Sequence, residues 1–76
     1  MSTMEVDVHG MTTAEAKKKL ERMIANLPAG KMEIDVIHGY RQGNELQNMV
    51  RKTLKSNRIK RKILSLNQGI TTLMIE

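Results

Sequence analysis

The sequence predicts an α/β protein of the two-layer sandwich type, in which two helices cover one face of a four-stranded mixed sheet. Two short apolar segments, residues 6–8 and 34–37, are each followed by a histidine and then a glycine, and a helical pattern separates them. This is the pattern of a βαβ unit with parallel strands and a right-handed crossover. A second helical pattern and two more apolar segments complete the order β-α-β-α-β-β.

The first half of the chain supplies the βαβ unit. We predict a first strand over residues 4–8 and a helix that begins at Thr12, because Thr12 and Glu15 have the spacing of a capping box. The apolar face of this helix consists of Ala16, Leu20, Met23, Ile24 and Leu27. The segment Pro28-Ala29-Gly30 ends the helix, and a second strand follows over residues 32–37.

The second half predicts a helix followed by a hairpin. Asn44 and Gln47 repeat the capping-box spacing, so we expect the second helix to begin there. Its buried stripe consists of Leu46, Met49, Val50 and Leu54, whereas Arg51, Lys52 and Lys55 are expected to be solvated. A third strand over 59–66, a turn over 67–69 and a fourth strand over 70–75 follow.

Composition bounds the class of protein. Seventy-six residues make one small domain, and the absence of cysteine favours a reducing, cytoplasmic setting without disulfides. No apolar run approaches the roughly 20 residues that span a membrane, and the N-terminus lacks the features of a signal peptide. We therefore expect a soluble cytoplasmic domain that contacts no membrane.

The net charge of +5 is unevenly distributed, because residues 1–38 carry −1, residues 39–62 carry +7 and residues 63–76 carry −1. A basic segment of this kind indicates a polyanionic partner, most simply RNA or DNA. A solvated basic face without a ligand explains the composition equally well.

Three side chains could carry chemistry at the carboxyl ends of the first two strands, where open α/β sheets bind ligands. Asp7 and His9 are two residues apart, so on a strand they share a face, and His38 follows the neighbouring strand. Two histidines could act as base and acid in cleaving RNA, whose 2′-hydroxyl is an internal nucleophile. Asp7 could orient and charge His9, or both could reach toward a metal or phosphate. Alternatively, each histidine binds a loop, and Asp7 caps nearby backbone or meets a lysine at a strand end.

DNA lacks the 2′-hydroxyl, so its cleavage needs an activated water, usually supplied by a metal ion. Asp7, His9 and His38 could hold Mg²⁺ or Mn²⁺, but three widely separated ligands are a weak metal signal, and we assign no metal site.

The loop after the second strand has features of a phosphate site. Gly39 and Gly43 allow a strand-to-helix turn that exposes backbone N–H groups at the helix start, near Asn44. Arg41 could bind the phosphate through two hydrogen bonds, and a single-stranded base could stack on Tyr40, the only aromatic residue of the chain. Turns also need glycine for purely structural reasons.

Further basic residues could continue this site as a phosphate track. They are Arg51, Lys52, Lys55, Arg58, Lys60 and Lys62. The alternative is that the charges on the third strand protect the edge of a sheet from aggregation.

The segments 6–12 (VDVHGMT), 37–39 (IHG) and 69–75 (GITTLMI) together resemble the small MutS-related (Smr) domain, whose motifs are Leu-Asp-x-His and His-Gly-x-Gly. The resemblance extends from residue 4 to residue 76, so we expect residues 1–76 to be a single Smr-like domain. Val6 replaces the leucine of the first motif. Arg41 replaces the second glycine of the other motif, and Gly43 follows two residues later.

The resemblance implies the two-layer sandwich and a nucleic-acid-binding endonuclease that acts in ribosome rescue or in DNA repair and recombination. By motif, Asp7 and His9 would be the catalytic pair, and His38 and Gly39 would belong to the loop that contacts substrate. Two other functions stay open: a non-catalytic module that binds nucleic acid or the ribosome, and a domain whose basic face binds an acidic protein.

Overall fold

The elements of the chain follow the predicted order. The computed structural model describes residues 2–40 and 43–76. Its elements are β1 (Ser2–Asp7), α1 (Thr13–Ala25), β2 (Met32–Ile37), α2 (Glu45–Asn48, continued by a π-helical segment, Met49–Thr53), β3 (Ile59–Leu64) and β4 (Ile70–Ile75). The α/β class and the order β-α-β-α-β-β are confirmed.

The four strands form one mixed sheet in the order β1-β2-β4-β3. β1 pairs with β2 in parallel, and β4 is antiparallel to both of its neighbours, β2 and β3. The register places Asp7 opposite Ile37, so β1 and β2 end side by side. The residues that follow these two strands therefore meet at the same edge of the sheet.

The core lies between one face of the sheet and the helices. On the helical side, the core consists of Ala16, Leu20, Ile24, Met49, Val50 and Leu54. On the sheet side, it consists of Val6, Val8, Ile34, Val36, Leu73 and Ile75. Alternate strand residues are buried in β2 and β4, which is the pattern of strands covered mainly on one face. Ile63 on the other face of the sheet is 41% exposed.

α1 begins as predicted, and an arginine closes its end. The Thr12 hydroxyl accepts the Glu15 N–H, and the Glu15 carboxylate accepts the Thr12 N–H, both at 3.1 Å. At the other end, the Arg58 guanidinium donates to the carbonyls of Ile24 and Leu27 at 2.8 and 2.7 Å. Carbonyls left without partners at a helix C-terminus favour a cation in this position.

α2 differs from its prediction. The second capping box is wrong, because the Asn44 side chain makes no capping hydrogen bond and the Gln47 amide donates to the Gln68 carbonyl at 2.7 Å. After Asn48 the helix widens, and the Leu54 N–H donates to the Met49 carbonyl five residues earlier. The expectation that Arg51 is solvated is also wrong, since its side chain is half-buried against β4.

Two strand boundaries also move. β1 covers residues 2–7, although the Val8 N–H still donates to the Ile37 carbonyl at 2.9 Å. β3 ends at Leu64, two residues earlier than predicted, and leaves Leu66 fully exposed in the connection to β4. Within residues 2–40 and 43–76, no helix is both long and apolar enough to cross a membrane.

Candidate functional site

An open cleft of about 1100 Å³ lies at the edge of the sheet where β1 and β2 end. His9 and His38 both line it, together with residues from the start of α2 and from the β3–β4 connection. The two histidine turns are in direct proximity, because a Cβ atom on Gly39 would lie 3.8 Å from the Cβ atom of His9. The structure thus brings both His-Gly sequences to one site.

Asp7 and His9 form an exposed pair at this cleft. His9 Nδ1 lies 2.5 Å from Asp7 Oδ1, and the His9 backbone N–H donates to the same oxygen at 3.0 Å. Their side chains are 69% and 50% exposed for His9 and Asp7, respectively. The pair is therefore accessible to a large ligand.

The pairing does not arise as the strand period predicted. Asp7 is the last residue of β1, and His9 lies in the turn beyond it rather than on the same strand face. Asp7 serves two of the roles considered from sequence, since its carboxylate caps a backbone N–H and also binds the imidazole. When the neutral imidazole donates from Nδ1, Nε2 is the nitrogen left to accept a proton.

Asp7 is held in its ionised form. The hydrogen bond from the His9 side chain is the largest cause that lowers the pKa of Asp7 below its ordinary 3.8, and the His9 N–H adds to it. The positive charge of Lys19 on α1 contributes in the same direction. The carboxylate is consequently charged at neutral pH.

His38 has the opposite environment. It is 3% exposed, and both of its ring nitrogens have partners within the protein. Nδ1 lies 2.8 Å from the Gly39 carbonyl, and Nε2 lies 2.8 Å from Thr71 Oγ1. Arg51 Nε donates to the same hydroxyl at 2.8 Å. One placement of the protons satisfies all three hydrogen bonds. Arg51 donates to the Thr71 hydroxyl, this hydroxyl donates to His38 Nε2, and His38 Nδ1 donates to the Gly39 carbonyl.

These surroundings keep His38 neutral. Burial is the largest cause that lowers the pKa of His38 below its ordinary 6.5, and the nearby charge of Arg51 lowers it further. The hydrogen bond to the Gly39 carbonyl acts in the other direction on this pKa, without outweighing burial.

The loop after His38 is tied to the β3–β4 connection. The N–H groups of His38 and Gly39 both donate to the Gly69 carbonyl, at 2.9 and 3.0 Å. These two amides are therefore occupied, and the predicted use of loop amides for a phosphate does not apply to them. A Cβ atom on Gly69 would lie 3.3 Å from the Gly39 Cα atom, a tight contact that favours glycine at this position.

The remaining residues predicted for the loop are distributed around the cleft. Tyr40 lines it and is 43% exposed, and Gly43 lines it with a φ of +120°. Asn44 is the exposed residue that precedes α2. Arg41 lies outside the described residues.

The basic residues predicted for the phosphate track do not line the cleft. Lys52 and Lys55 are exposed, whereas Lys60 and Lys62 donate to the carbonyls of Asn57 and Leu54. Arg58 lies near the C-terminus of α1, where its guanidinium is bound to backbone carbonyls. Of the lysine and arginine side chains in residues 2–40 and 43–76, none lines the cleft.

Sequence reasoning did not identify two residues of the site. Thr71 links His38 to Arg51, and Leu66 lines the cleft with its side chain fully exposed. A threonine in a largely apolar strand gives no signal of a buried hydrogen bond, and the sequence predicts Leu66 inside a strand. Among the described residues, no group of three potential metal ligands is placed to hold an ion.

A two-layer sandwich with an exposed Asp–His pair beside a strand-end cleft, in a chain with a basic second half, corresponds to a nucleic-acid-binding, nuclease-related module. The family model named Smr domain matches residues 6–71 of the 76. The chain belongs to the Smr domain family, as its motifs predicted. Searches of curated proteins and of solved structures gave no match.

Proposed function

We propose that this protein is an endonuclease that cleaves one strand of nucleic acid, with RNA favoured over DNA. The observation that carries the proposal is the exposed contact of 2.5 Å between Asp7 and His9 at the cleft. An ionised carboxylate that orients an accessible imidazole is the arrangement a general base requires. We propose that the protein acts in the cytoplasm, either in ribosome rescue or in DNA repair and recombination.

His9 is the proposed base. Its Nε2 takes the proton of an RNA 2′-hydroxyl, while Asp7 holds Nδ1 and fixes the tautomer. The 2′-oxygen attacks the adjacent phosphorus, and the bond from phosphorus to the 5′-oxygen of the next nucleotide breaks. The leaving 5′-oxygen takes a proton from solvent, which gives a 2′,3′-cyclic phosphate and a 5′-hydroxyl, and protonated His9 returns its proton to solvent. Such proton transfer contributes about 10²–10⁴-fold to a rate.

His38 is a positioning residue in this proposal, in place of the proton exchange predicted from sequence. Both of its nitrogens are hydrogen-bonded within the protein, and its neutral form is favoured. It connects the Gly39 carbonyl to Thr71 on β4, beside the Gly69 carbonyl that holds the loop amides. His38 thereby supports the loop that lines the cleft beside His9.

Single-turnover cleavage of labelled single-stranded RNA and matched DNA tests the proposal. We expect His9→Ala to lower RNA cleavage about 10²–10⁴-fold, and Asp7→Ala to lower it by a smaller factor, because general-base catalysis is lost or impaired. Glu5→Ala is the matched control, since Glu5 is another exposed carboxylate of β1, two residues before Asp7. It should cleave at the rate of the parent.

The reactions are run in EDTA, in Mg²⁺ and in Mn²⁺. If the protein cleaves RNA but not DNA in EDTA, the result supports attack by the 2′-hydroxyl. If it cleaves DNA and requires Mg²⁺ or Mn²⁺ to do so, a metal-activated water replaces that mechanism. Equal traces of cleavage in the parent and in His9→Ala would overturn the enzyme proposal. Retained binding would then identify a non-catalytic module that binds nucleic acid or the ribosome.

A further inference from the structure

We infer that the exposed edge of β3 and the connection after it hold the bases of a single strand, which leads from the cleft to a basic cluster around β3 and the end of the second helix. The two apolar contacts of this track are Leu64 and Leu66. Its basic cluster consists of Lys52, Lys55 and Lys62. The inference rests on the proposed function, because it specifies which form of nucleic acid the site takes.

The two leucines are exposed in a place where burial is expected. Leu64 pairs with Thr71, and Thr71 is fully buried on the helix side of the sheet. Directly opposed residues of an antiparallel pair share a face, so Leu64 lies on that same side. It is nevertheless 61% exposed. Leu66 is fully exposed and lines the cleft.

The basic cluster adjoins the leucines. Lys62 precedes Leu64 by two residues, and its ammonium donates to the Leu54 carbonyl at 2.5 Å at the end of the second helix. The charge of Lys55 is close enough to lower the pKa of Lys62, although burial is the larger cause. Lys52 lies in the π-helical segment that ends at Thr53, and it is exposed. Positive charge is therefore concentrated beside exposed leucines.

A single-stranded nucleic acid fits this combination better than a duplex. A polyanion complements the lysines, and apolar side chains can contact base faces that a duplex keeps stacked inside. Tyr40 faces the same cleft and is 43% exposed, so a base at Leu66 has an aromatic side chain nearby. The track also supplies the basic groups that the described lining of the cleft lacks.

Fluorescence anisotropy with a labelled 2′-O-methyl RNA tests the inference without cleavage. We expect Leu64→Ser and Leu66→Ser each to weaken binding of the single strand about three- to tenfold, with duplex binding unchanged. Ile63→Ser is the matched control, since Ile63 is 41% exposed on the opposite face of the same strand. It should bind within about twofold of the parent, as surface substitutions away from an interface do.

Charge is tested separately from apolar contact. Lys55→Gln should weaken single-strand binding and reduce its salt dependence by about one counterion, whereas Lys31→Gln, an exposed lysine before β2, should change neither. Thermal melting of every variant excludes loss of fold as the cause of weaker binding.

The outcomes separate this inference from the proposed function. Leucine variants that bind single strands like the parent, or an equal loss in Ile63→Ser, would overturn the track. The track would also be overturned if the leucine variants lost binding to anionic vesicles while their oligonucleotide binding stayed unchanged. That result would assign the leucines to a lipid surface. If binding depends on the leucines but His9→Ala cleaves like the parent, the endonuclease proposal fails and the track stands.

Discussion

The two His-Gly sequences at the ends of β1 and β2 are alike in the chain and opposite in the structure. Gly10 and Gly39 both have a positive φ, +82° and +72°, so the backbone turns in a similar way after each histidine. His9 is exposed and bound to a carboxylate, whereas His38 is buried and bound to a carbonyl and a hydroxyl. The same residues thus serve an accessible site at one end and a structural link at the other.

The position of each strand in the sheet explains the difference. β1 is an edge strand with one neighbour, so the turn after it meets solvent on its other side. β2 lies between β1 and β4, so the turn after it meets the start of β4, where Gly69 and Thr71 accept or exchange hydrogen bonds with it. Burial follows from strand order rather than from the local sequence.

The largest expected contrast is in stability. His38→Ala removes a buried ring and leaves the Thr71 hydroxyl and the Gly39 carbonyl without their partner, so we expect a loss of about 2–4 kcal/mol in the free energy of unfolding. His9→Ala changes an exposed side chain and should cost less than about 0.5 kcal/mol. Urea denaturation of both variants and of the parent measures the two values.

Thr71→Val tests whether hydrogen bonding accounts for part of the loss at His38. Valine keeps the volume of threonine but cannot bind His38 Nε2 or Arg51 Nε, so we expect a loss of about 1–3 kcal/mol from unpaired polar groups. If His38→Ala and His9→Ala lost the same stability, the conclusion that His38 has a structural role and His9 does not would be contradicted.

Much of the fold could be predicted because local signals agree with it. β2 and β4 were predicted residue for residue, since apolar segments bounded by turn residues define strands in the sheet interior. The cap at Thr12 formed as predicted because its partner Glu15 is local in sequence. Proximity of the two histidines followed from the βαβ topology.

The rest depends on contacts between distant segments. Gln47 binds the Gln68 carbonyl instead of completing a cap, and Arg51 binds Thr71 instead of solvent. Both partners lie about twenty residues further along the chain, beyond the reach of a capping or helical pattern. The burial of His38 has the same origin, because its partner Thr71 is 33 residues away.

A smaller effect should be equal at the two turns. Gly10→Ala places a Cβ atom in open space, and Gly39→Ala places one at an ordinary contact distance of 3.8 Å from His9. Each substitution therefore carries mainly the cost of a positive φ, about 1–2 kcal/mol in the free energy of unfolding. Urea denaturation measures both, and a loss at Gly39 several times that at Gly10 would show that the two backbones are not equivalent.

The smallest expected effect is in the pH dependence of stability between pH 7 and pH 5, where His38 contributes. Burial holds the pKa of His38 in the folded state below its ordinary 6.5. As pH falls from 7 towards 5, the unfolded chain takes up a proton at this histidine before the folded protein does, and the folded state loses stability. The contribution is fully present above about pH 6.5.

His38→Asn should reduce the loss of stability between pH 7 and pH 5, measured by urea denaturation at each pH, because this titration is removed. Val36→Ala is the control, since it weakens the core beside His38 without removing a titratable group. It should keep the pH dependence of the parent at a lower stability throughout. If His38→Asn and the parent lose the same stability between pH 7 and pH 5, then His38 has the same pKa in the folded and unfolded states. The conclusion that His38 is held neutral by burial, in contrast to the exposed His9, would then be wrong.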